Sequence, residues 1–288
     1  MRGKLAILQA RQAGKRLAPE RILEVLNRCV GCQNCQAACP NGIDTTWLTI
    51  LVRMLMTQEG HPDWTSSTGS TLRRFRLTSR LALAVMPLLI HGSDSLRSGT
   101  VWKTLPQRIY KALEPRPDFS DVPADSVVIF PGCALSQDQT RLGHLQTIFK
   151  GIGVSAHVIA DAGCCGMPEL GLSDFAGHEQ RVQALLSTLV QLKPAQILVA
   201  CPRCLTGIRY LQKLYSFTPE ETSLFPRIAG VFDFLASQEW EPRRRISRRF
   251  TVHDSCHQLR QASGKAPLRS LLKRILDHPI SESESEVS

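Results

Sequence analysis

Residues 126–133 read Ser-Val-Val-Ile-Phe-Pro-Gly-Cys, an apolar and β-branched run that Pro131 and Gly132 bring to an end. A run of this length with turn residues after it is typical of a strand that is buried on both faces. Similar strands are predicted at 154–159, 197–200 and 250–253, and helices are predicted at 138–150 and 174–192. Because apolar strands that alternate with helices favour a parallel sheet covered on both faces, this half of the chain is predicted to be α/β.

Cysteines lie at or just beyond the carboxyl ends of these strands, namely Cys133, Cys164, Cys165, Cys201 and Cys204. Open α/β sheets bind ligands at that edge. Gly163 and Gly166 flank the adjacent pair, and they let the chain bend so that both thiolates face the same way. Zinc takes four ligands in a tetrahedron, whereas a larger iron–sulfur assembly can accept all five thiolates. A four-cysteine zinc site and unliganded buried thiols are the alternatives.

A second group of cysteines lies near the start of the chain, in the pattern Cys29-x2-Cys32-x2-Cys35-x3-Cys39-Pro40. This spacing matches the bacterial ferredoxin run that binds a cubane [4Fe–4S] cluster, and Gly31 eases the tight turn. A zinc site and unliganded thiols are again the alternatives.

The fourth cysteine of such a run ligates the other cluster in two-cluster ferredoxins. Cys39 would then serve a cluster whose other ligands are missing here, and the first three cysteines would need a distant fourth ligand. Cys256 is a candidate for that ligand, and a partner subunit that carries the complementary run is another solution.

Composition limits the classes of function. The 288-residue chain is 43% hydrophobic, enough to bury a core, and its formal net charge of +10 favours anionic partners. Aromatic residues make up only 6%, so stacking surfaces for single-stranded nucleic acid are scarce. The basic run 243–249 is interpreted as a solvated loop, with docking to an acidic partner or anionic lipid as the alternative. Since no signal-peptide core and no membrane-spanning apolar run is found, we expect a cytoplasmic protein with reduced thiols.

Four motifs in a characteristic order resemble those of the cysteine-rich CCG-domain family: Phe130-Pro-Gly-Cys133, Gly163-Cys-Cys-Gly166, the Cys201/Cys204 pair and His253-Asp-Ser-Cys-His257. That family includes the heterodisulfide reductase B and D subunits and the iron–sulfur subunits of anaerobic glycerol-3-phosphate dehydrogenase and glycolate oxidase. Residues 28–43 are similar to the second of the two ferredoxin runs in the latter subunits. The chain departs from the family pattern because it carries one ferredoxin run, and because its second CCG unit begins at Cys256 without another Cys-Cys-Gly.

The resemblance implies a non-cubane [4Fe–4S] cluster on Cys133, Cys164, Cys165, Cys201 and Cys204, in addition to the ferredoxin-type cluster. It also implies an iron–sulfur electron-transfer subunit that relays electrons between a flavoprotein dehydrogenase and a quinone-linked or other redox partner. We expect peripheral contact with a membrane subunit at the cytoplasmic face. No catalytic residue is identified.

Two alternative functions remain. One is a heterodisulfide-reductase-like subunit that reduces a disulfide at the CCG cluster. The remote one is an iron- or redox-sensing nucleic-acid-binding protein. Because the spacings of helix-turn-helix and zinc-finger proteins are missing, no nucleic-acid partner is expected.

The predicted organisation begins with a helical ferredoxin-type domain, in which helices over 1–28 and 45–57 flank the cysteine loop 29–44. The five predicted parts are this domain (1–60), a helical linker (61–125), a complete CCG unit with a Rossmann-like, mostly parallel sheet (126–240), a truncated second CCG unit (241–278) and a disordered acidic tail (279–288).

Overall fold

The computed structural model describes residues 2–15, 17–61, 119–160, 162–171 and 173–282. The short helices predicted within the linker, and the end of the predicted tail, lie outside these residues.

The N-terminal segment is helical, as predicted, and its helices flank the loop that carries four cysteines. The helices are α1 (Arg2–Gln12), α2 (Pro19–Asn27), α3 (Asn34–Ala37) and α4 (Thr45–Gln58). Pro19 begins α2, where the missing N–H of proline costs no hydrogen bond. Asp44 caps α4, because its carboxylate accepts the Trp47 N–H at 2.9 Å. Helix α3 is a short turn within the stretch that is predicted to be a loop.

Among the described residues, four parallel strands form the central sheet in the order β2-β1-β3-β4. The strands are β1 (Val127–Phe130), β2 (Ala156–Val158), β3 (Gln196–Val199) and β4 (Ile228–Gly230). The helices of this unit are α5 (Gly132–Leu135), α6 (Gln139–Gly151), α7 (Met167–Gly171), α8 (Phe175–Leu192), α9 (Pro202–Leu214), α10 (Pro219–Thr222) and α11 (Val231–Ser237). This architecture confirms the predicted α/β class.

Helices cover both faces of the sheet. Val128 and Phe130 of β1 lie in one core with apolar side chains of α8 and α9. Ile129, between them, lies in a second core with apolar side chains of α6 and α11. Ile50 of α4 joins the first core, so the N-terminal segment packs directly on the α/β unit. The alternation explains why β1 and residues 197–199 of β3 are apolar throughout, since helices cover both faces of the sheet there.

The C-terminal segment corrects two predictions. Strand β5 (Thr251–Val252) lies where a strand is predicted, but it pairs with β6 (Ser281–Glu282) outside the central sheet. Strand β6 falls within the tail that is predicted to be disordered, so this part of the tail is ordered. The fourth strand of the central sheet is β4, whose Ile-Ala-Gly sequence is too short to stand out as an apolar run.

Two further helices lie in the C-terminal segment, α12 (Cys256–Leu259) and α13 (Ala266–Ile275). Leu271 of α13 packs in the core beside α11, which attaches this segment to the α/β unit. In the part of the chain that the structure describes, no helix is long and apolar enough to cross a membrane.

Candidate metal centres

One edge of the central sheet brings together the cysteines that follow its strands. Cys133 lies on α5 directly after β1, and Cys164 and Cys165 lie in the loop between β2 and α7. Cys201 caps α9, which follows β3, and Cys204 lies in the first turn of that helix. Because β2, β1 and β3 are neighbours in a parallel sheet, their carboxyl ends place these residues at the same edge.

The thiols of these five residues contact one another in series. Cys133 hydrogen-bonds with Cys164, and Cys164 also contacts Cys165. Cys165 contacts Cys204, which in turn contacts Cys201. We refer to these five residues as the thiol series. The structure thus brings the predicted ligands together, and their role as ligands stays a prediction.

Hydrogen bonds favour the thiolate form at two positions of the thiol series. Those from Cys164 and Cys204 lower the pKa of the buried Cys165 well below its ordinary value. A hydrogen bond from Cys204, together with N–H groups at the start of α9, lowers the pKa of Cys201 to about 6. Cys165 and Cys201 therefore favour the thiolate at neutral pH, which is the form that binds metals.

The other members of the thiol series retain their protons. Hydrogen bonds to Cys165 and Cys201, together with burial, raise the pKa of Cys204. The hydrogen bond to Cys164, together with burial, raises the pKa of Cys133. The bond from Cys133 lowers the pKa of Cys164, but contact with Cys165 and burial outweigh it and raise that pKa to about 11. Metal binding at these thiols would release their protons.

Backbone amides donate to the adjacent pair of cysteines. The Gly166 N–H donates to Cys164, and the Met167 N–H donates to Cys165. Such donors stabilise negative charge on sulfur and help to set the reduction potential of a thiolate-bound cluster.

Gly132 allows the end of β1 to approach α9 closely. Its φ of 76° lies in the left-handed region that favours glycine. A Cβ at this position would lie 2.9 Å from Cys204 Sγ and 3.1 Å from Cys201 Cβ. Any larger residue would therefore displace part of the thiol series. Five sulfur donors in a confined space, running from the exposed Cys133 to the buried Cys165 and Cys204, fit a multi-iron thiolate site.

The N-terminal cysteines lie on the loop between α2 and α4, all of them partly buried. Cys29 lies two residues after the end of α2, Cys35 lies within α3 and Cys39 lies two residues after that helix. Gly31 has a φ of 71°, which agrees with the tight turn predicted there. Nowhere in the described residues do three His, Cys, Asp or Glu side chains converge on one point as a single metal ion would require.

Helix α9 connects this loop to the thiol series. The side-chain amide of Gln33, within the loop, donates to the Tyr210 hydroxyl at 2.8 Å. Trp47 of α4 stacks on the same tyrosine with ring centroids 5.8 Å apart. Tyr210 lies six residues beyond Cys204 on α9, which is about 9 Å along a helix. One helix therefore carries two residues of the thiol series at its start and contacts the N-terminal cysteine loop further along.

Cys256 does not join the thiol series. It begins α12, and the two residues that follow this helix contact the loop and α9: Arg260 donates to Asn34 Oδ1 at 2.9 Å, and Gln261 donates to Thr206 Oγ1 at 3.1 Å. The neighbouring Asp254, part of the motif His253-Asp-Ser-Cys-His257, forms a two-pronged ion pair with Arg269 at 2.6 and 3.1 Å. That contact gives Asp254 a structural role.

Two contributors to the site are missed by sequence reasoning. Arg203, between the cysteines that begin α9, places positive charge near Cys201 and lowers its pKa further. Its position in the motif could have indicated this effect. His178, on the first turn of α8, packs against Gly166. Nothing in the local sequence distinguishes His178 from a polar residue on the outer face of a helix.

Two family models match the chain. Residues 127–209 match the cysteine-rich domain CCG, a stretch that runs from β1 into α9 and contains the whole thiol series. Residues 3–44 match a 4Fe–4S dicluster domain, and the cysteines of that stretch are the four between 29 and 39. Both matches confirm the predicted resemblance and support [4Fe–4S] clusters as the cofactors of this chain.

Comparison with individual proteins adds no relative, since no curated protein and no solved structure matches. The similarity to heterodisulfide reductase and to the glycerol-phosphate and glycolate subunits therefore stays a prediction.

Proposed function

We propose that this CCG-domain protein is the electron-transfer subunit of an oxidoreductase complex, and that it relays electrons between a flavoprotein dehydrogenase and a quinone-linked or other redox partner. The observation that carries the proposal is the attachment of two cysteine groups to one helix. Helix α9 begins with Cys201 and Cys204 and holds the ferredoxin-type loop through Tyr210. Two centres joined in this way suit a relay, because electrons can pass between them without movement of the protein.

The thiol series would hold one cluster and the N-terminal cysteines would hold the other. An iron–sulfur cluster supplies reversible one-electron transfer when it is bound. The chain contributes thiolates, amide donors to the sulfurs of Cys164 and Cys165, and the positive charge of Arg203. These groups offset the negative charge that a reduced cluster gains, and thereby influence its reduction potential.

The ferredoxin-type loop provides a reason to expect a partner. If Cys39 serves a second cluster, as in two-cluster ferredoxins, the remaining ligands of that cluster come from elsewhere. A redox subunit with a complementary run would supply them. The net charge of +10 favours a partner with an acidic surface.

Cysteine variants in anaerobically purified protein test the proposal. We expect roughly four to eight irons per chain, matching acid-labile sulfide and little zinc. Cys165→Ser should remove one paramagnetic signal and Cys32→Ser the other, so that each variant controls for the other. Cys256→Ser should leave the signal of the thiol series unchanged, and its effect on the loop signal shows whether Cys256 is the distant ligand.

The relay itself is tested by electron flow from a reduced flavin to a soluble quinone analogue. The wild-type chain should accelerate this flow, and each single-cluster variant should abolish most of the acceleration. A colourless protein that holds tetrahedral zinc would contradict the proposal, and so would a single-cluster variant that still relays at the wild-type rate.

A second candidate function is disulfide reduction at the CCG cluster. The observation in its favour is the exposure of Cys133 at one end of a series that is otherwise at least partly buried, since substrate could reach the cluster there. One disulfide would take up two electrons and two protons and leave as two thiols. Addition of a disulfide to the reduced protein should then change the spectrum of the CCG cluster, and an unchanged spectrum would count against this function.

A further inference from the structure

His178 presents a buried polar atom without a hydrogen-bond partner beside the adjacent cysteines. The residue is fully buried on the first turn of α8, and its Nε2 has no partner among the described residues. Its Nδ1 lies 2.7 Å from the Tyr215 hydroxyl, and the two rings are stacked with centroids 5.6 Å apart. Because a buried polar group is costly without a partner, an atom in this position calls for one.

The unpartnered edge of the imidazole ring faces the Cys-Cys-Gly motif. A Cβ on Gly166 would lie 2.5 Å from His178 Cδ2 and 3.1 Å from Nε2, so only glycine leaves room for the ring. On the other side of the motif, a Cβ on Gly163 would lie 3.9 Å from the backbone nitrogen of Leu185, which is also a residue of α8. Helix α8 therefore runs along the loop that carries Cys164 and Cys165, and His178 is a polar residue of α8 at that contact.

The ring is uncharged at neutral pH. Burial lowers the pKa of His178 to about 4, although the charge of Asp174 acts in the opposite direction. Burial also raises the pKa of Tyr215 to about 12, so its hydroxyl keeps its proton. When that hydroxyl donates to Nδ1, the single ring proton of His178 lies on Nε2, the nitrogen that faces the motif.

We propose that the Nε2–H of His178 donates a hydrogen bond to a sulfur atom of the cluster held by the thiol series, and that Tyr215 holds the ring in the tautomer that permits it. The inference rests on the proposed function, because it requires a cluster at this site. Reduction places more negative charge on the cluster sulfurs, so a fixed donor stabilises the reduced state more than the oxidised state. His178 would thereby raise the reduction potential of the CCG cluster.

The test is a redox titration of the CCG-cluster signal in three variants of the anaerobic protein. His178→Phe keeps a ring of similar shape and removes the donor. We expect its cluster to remain bound, with the equilibrium between reduced and oxidised cluster shifted about tenfold toward the oxidised form. Tyr215→Phe removes only the hydroxyl that orients the ring and should shift the potential in the same direction by less. His144→Gln, at an exposed position on α6, is the control and should match the wild type.

Nitrogen hyperfine spectra of protein with ¹⁵N-labelled histidine provide a second measurement. A hydrogen-bonded His178 should give a weak coupling to the CCG cluster that disappears in His178→Phe. A strong coupling, typical of a nitrogen bound to iron, would overturn the inference because His178 would then be a ligand.

Other outcomes separate this inference from the proposed function. An unchanged potential in an iron-loaded His178→Phe protein would overturn the inference alone. If that variant does not assemble its cluster, Tyr215→Phe decides, because it keeps the imidazole ring, and an unchanged potential there would overturn the inference. A wild-type chain without any CCG cluster would overturn both.

Discussion

Substitution of Gly132 by alanine should destabilise the CCG unit through two separable effects. The φ of 76° costs a non-glycine residue about 1–2 kcal/mol. The new Cβ would also lie 2.9 Å from Cys204 Sγ and 3.1 Å from Cys201 Cβ, and overpacking of this kind costs about 1–3 kcal/mol. We therefore expect Gly132→Ala to lower the free energy of unfolding by about 2–5 kcal/mol.

Gly153→Ala is the matched control. Gly153 has almost the same φ, 75°, but a Cβ there would meet nothing within 4 Å. The free energy of unfolding of Gly153→Ala should therefore fall only by the backbone contribution of about 1–2 kcal/mol. Urea unfolding of both metal-free proteins, followed by far-ultraviolet circular dichroism, measures the difference.

Iron content of the reconstituted proteins measures the effect of Gly132 on the centre. Displacement of Cys201 and Cys204 should reduce iron in Gly132→Ala and leave it unchanged in Gly153→Ala. Equal losses of stability in the two variants, with full iron in both, would refute the argument that the thiol series requires glycine at position 132.

Two further predictions concern contacts outside the thiol series. Tyr210→Phe keeps the stack on Trp47 but removes the hydrogen bond from Gln33. We therefore expect the free energy of unfolding to fall by about 0.5–1.5 kcal/mol, and the amides of the N-terminal cysteine loop to exchange hydrogen faster. Unchanged exchange would contradict the anchoring role of Tyr210. Arg269→Ala leaves the largely buried carboxylate of Asp254 without its bidentate partner and should lower the free energy of unfolding in urea by about 3 kcal/mol. The exposed arginine of the Arg141 and Asp138 pair is the control, and its removal should cost less than about 1 kcal/mol.

The strands of the central sheet differ in how far local sequence could predict them. Residues 127–130 and 197–199 are apolar throughout because both faces of the sheet are covered, and that signal is local. Strand β4 is three residues long, and it is a strand because β3 offers a row of free backbone groups beside it. Strand β5 was predictable as an extended segment, but its partner β6 lies about thirty residues further along the chain.

The two cysteine groups could likewise be recognised from the spacing of cysteines in short stretches of sequence. A ferredoxin run and a Cys-Cys-Gly motif are recognisable because thiolates that share one cluster must lie a few residues apart or at successive strand ends. Spacing also predicted iron–sulfur clusters, which the family matches support.

The sequence by itself thus determined the fold class, the cysteines and the chemistry that they indicate. The tertiary structure alone decided that Gly132 approaches Cys204, that Gln33 meets Tyr210, and that His178 lies against Gly166. These contacts join residues far apart in the chain, and packing of α8 and α9 against the sheet brings them together. Because such packing depends on the shapes of many side chains at once, no short stretch of sequence carries a signal for it.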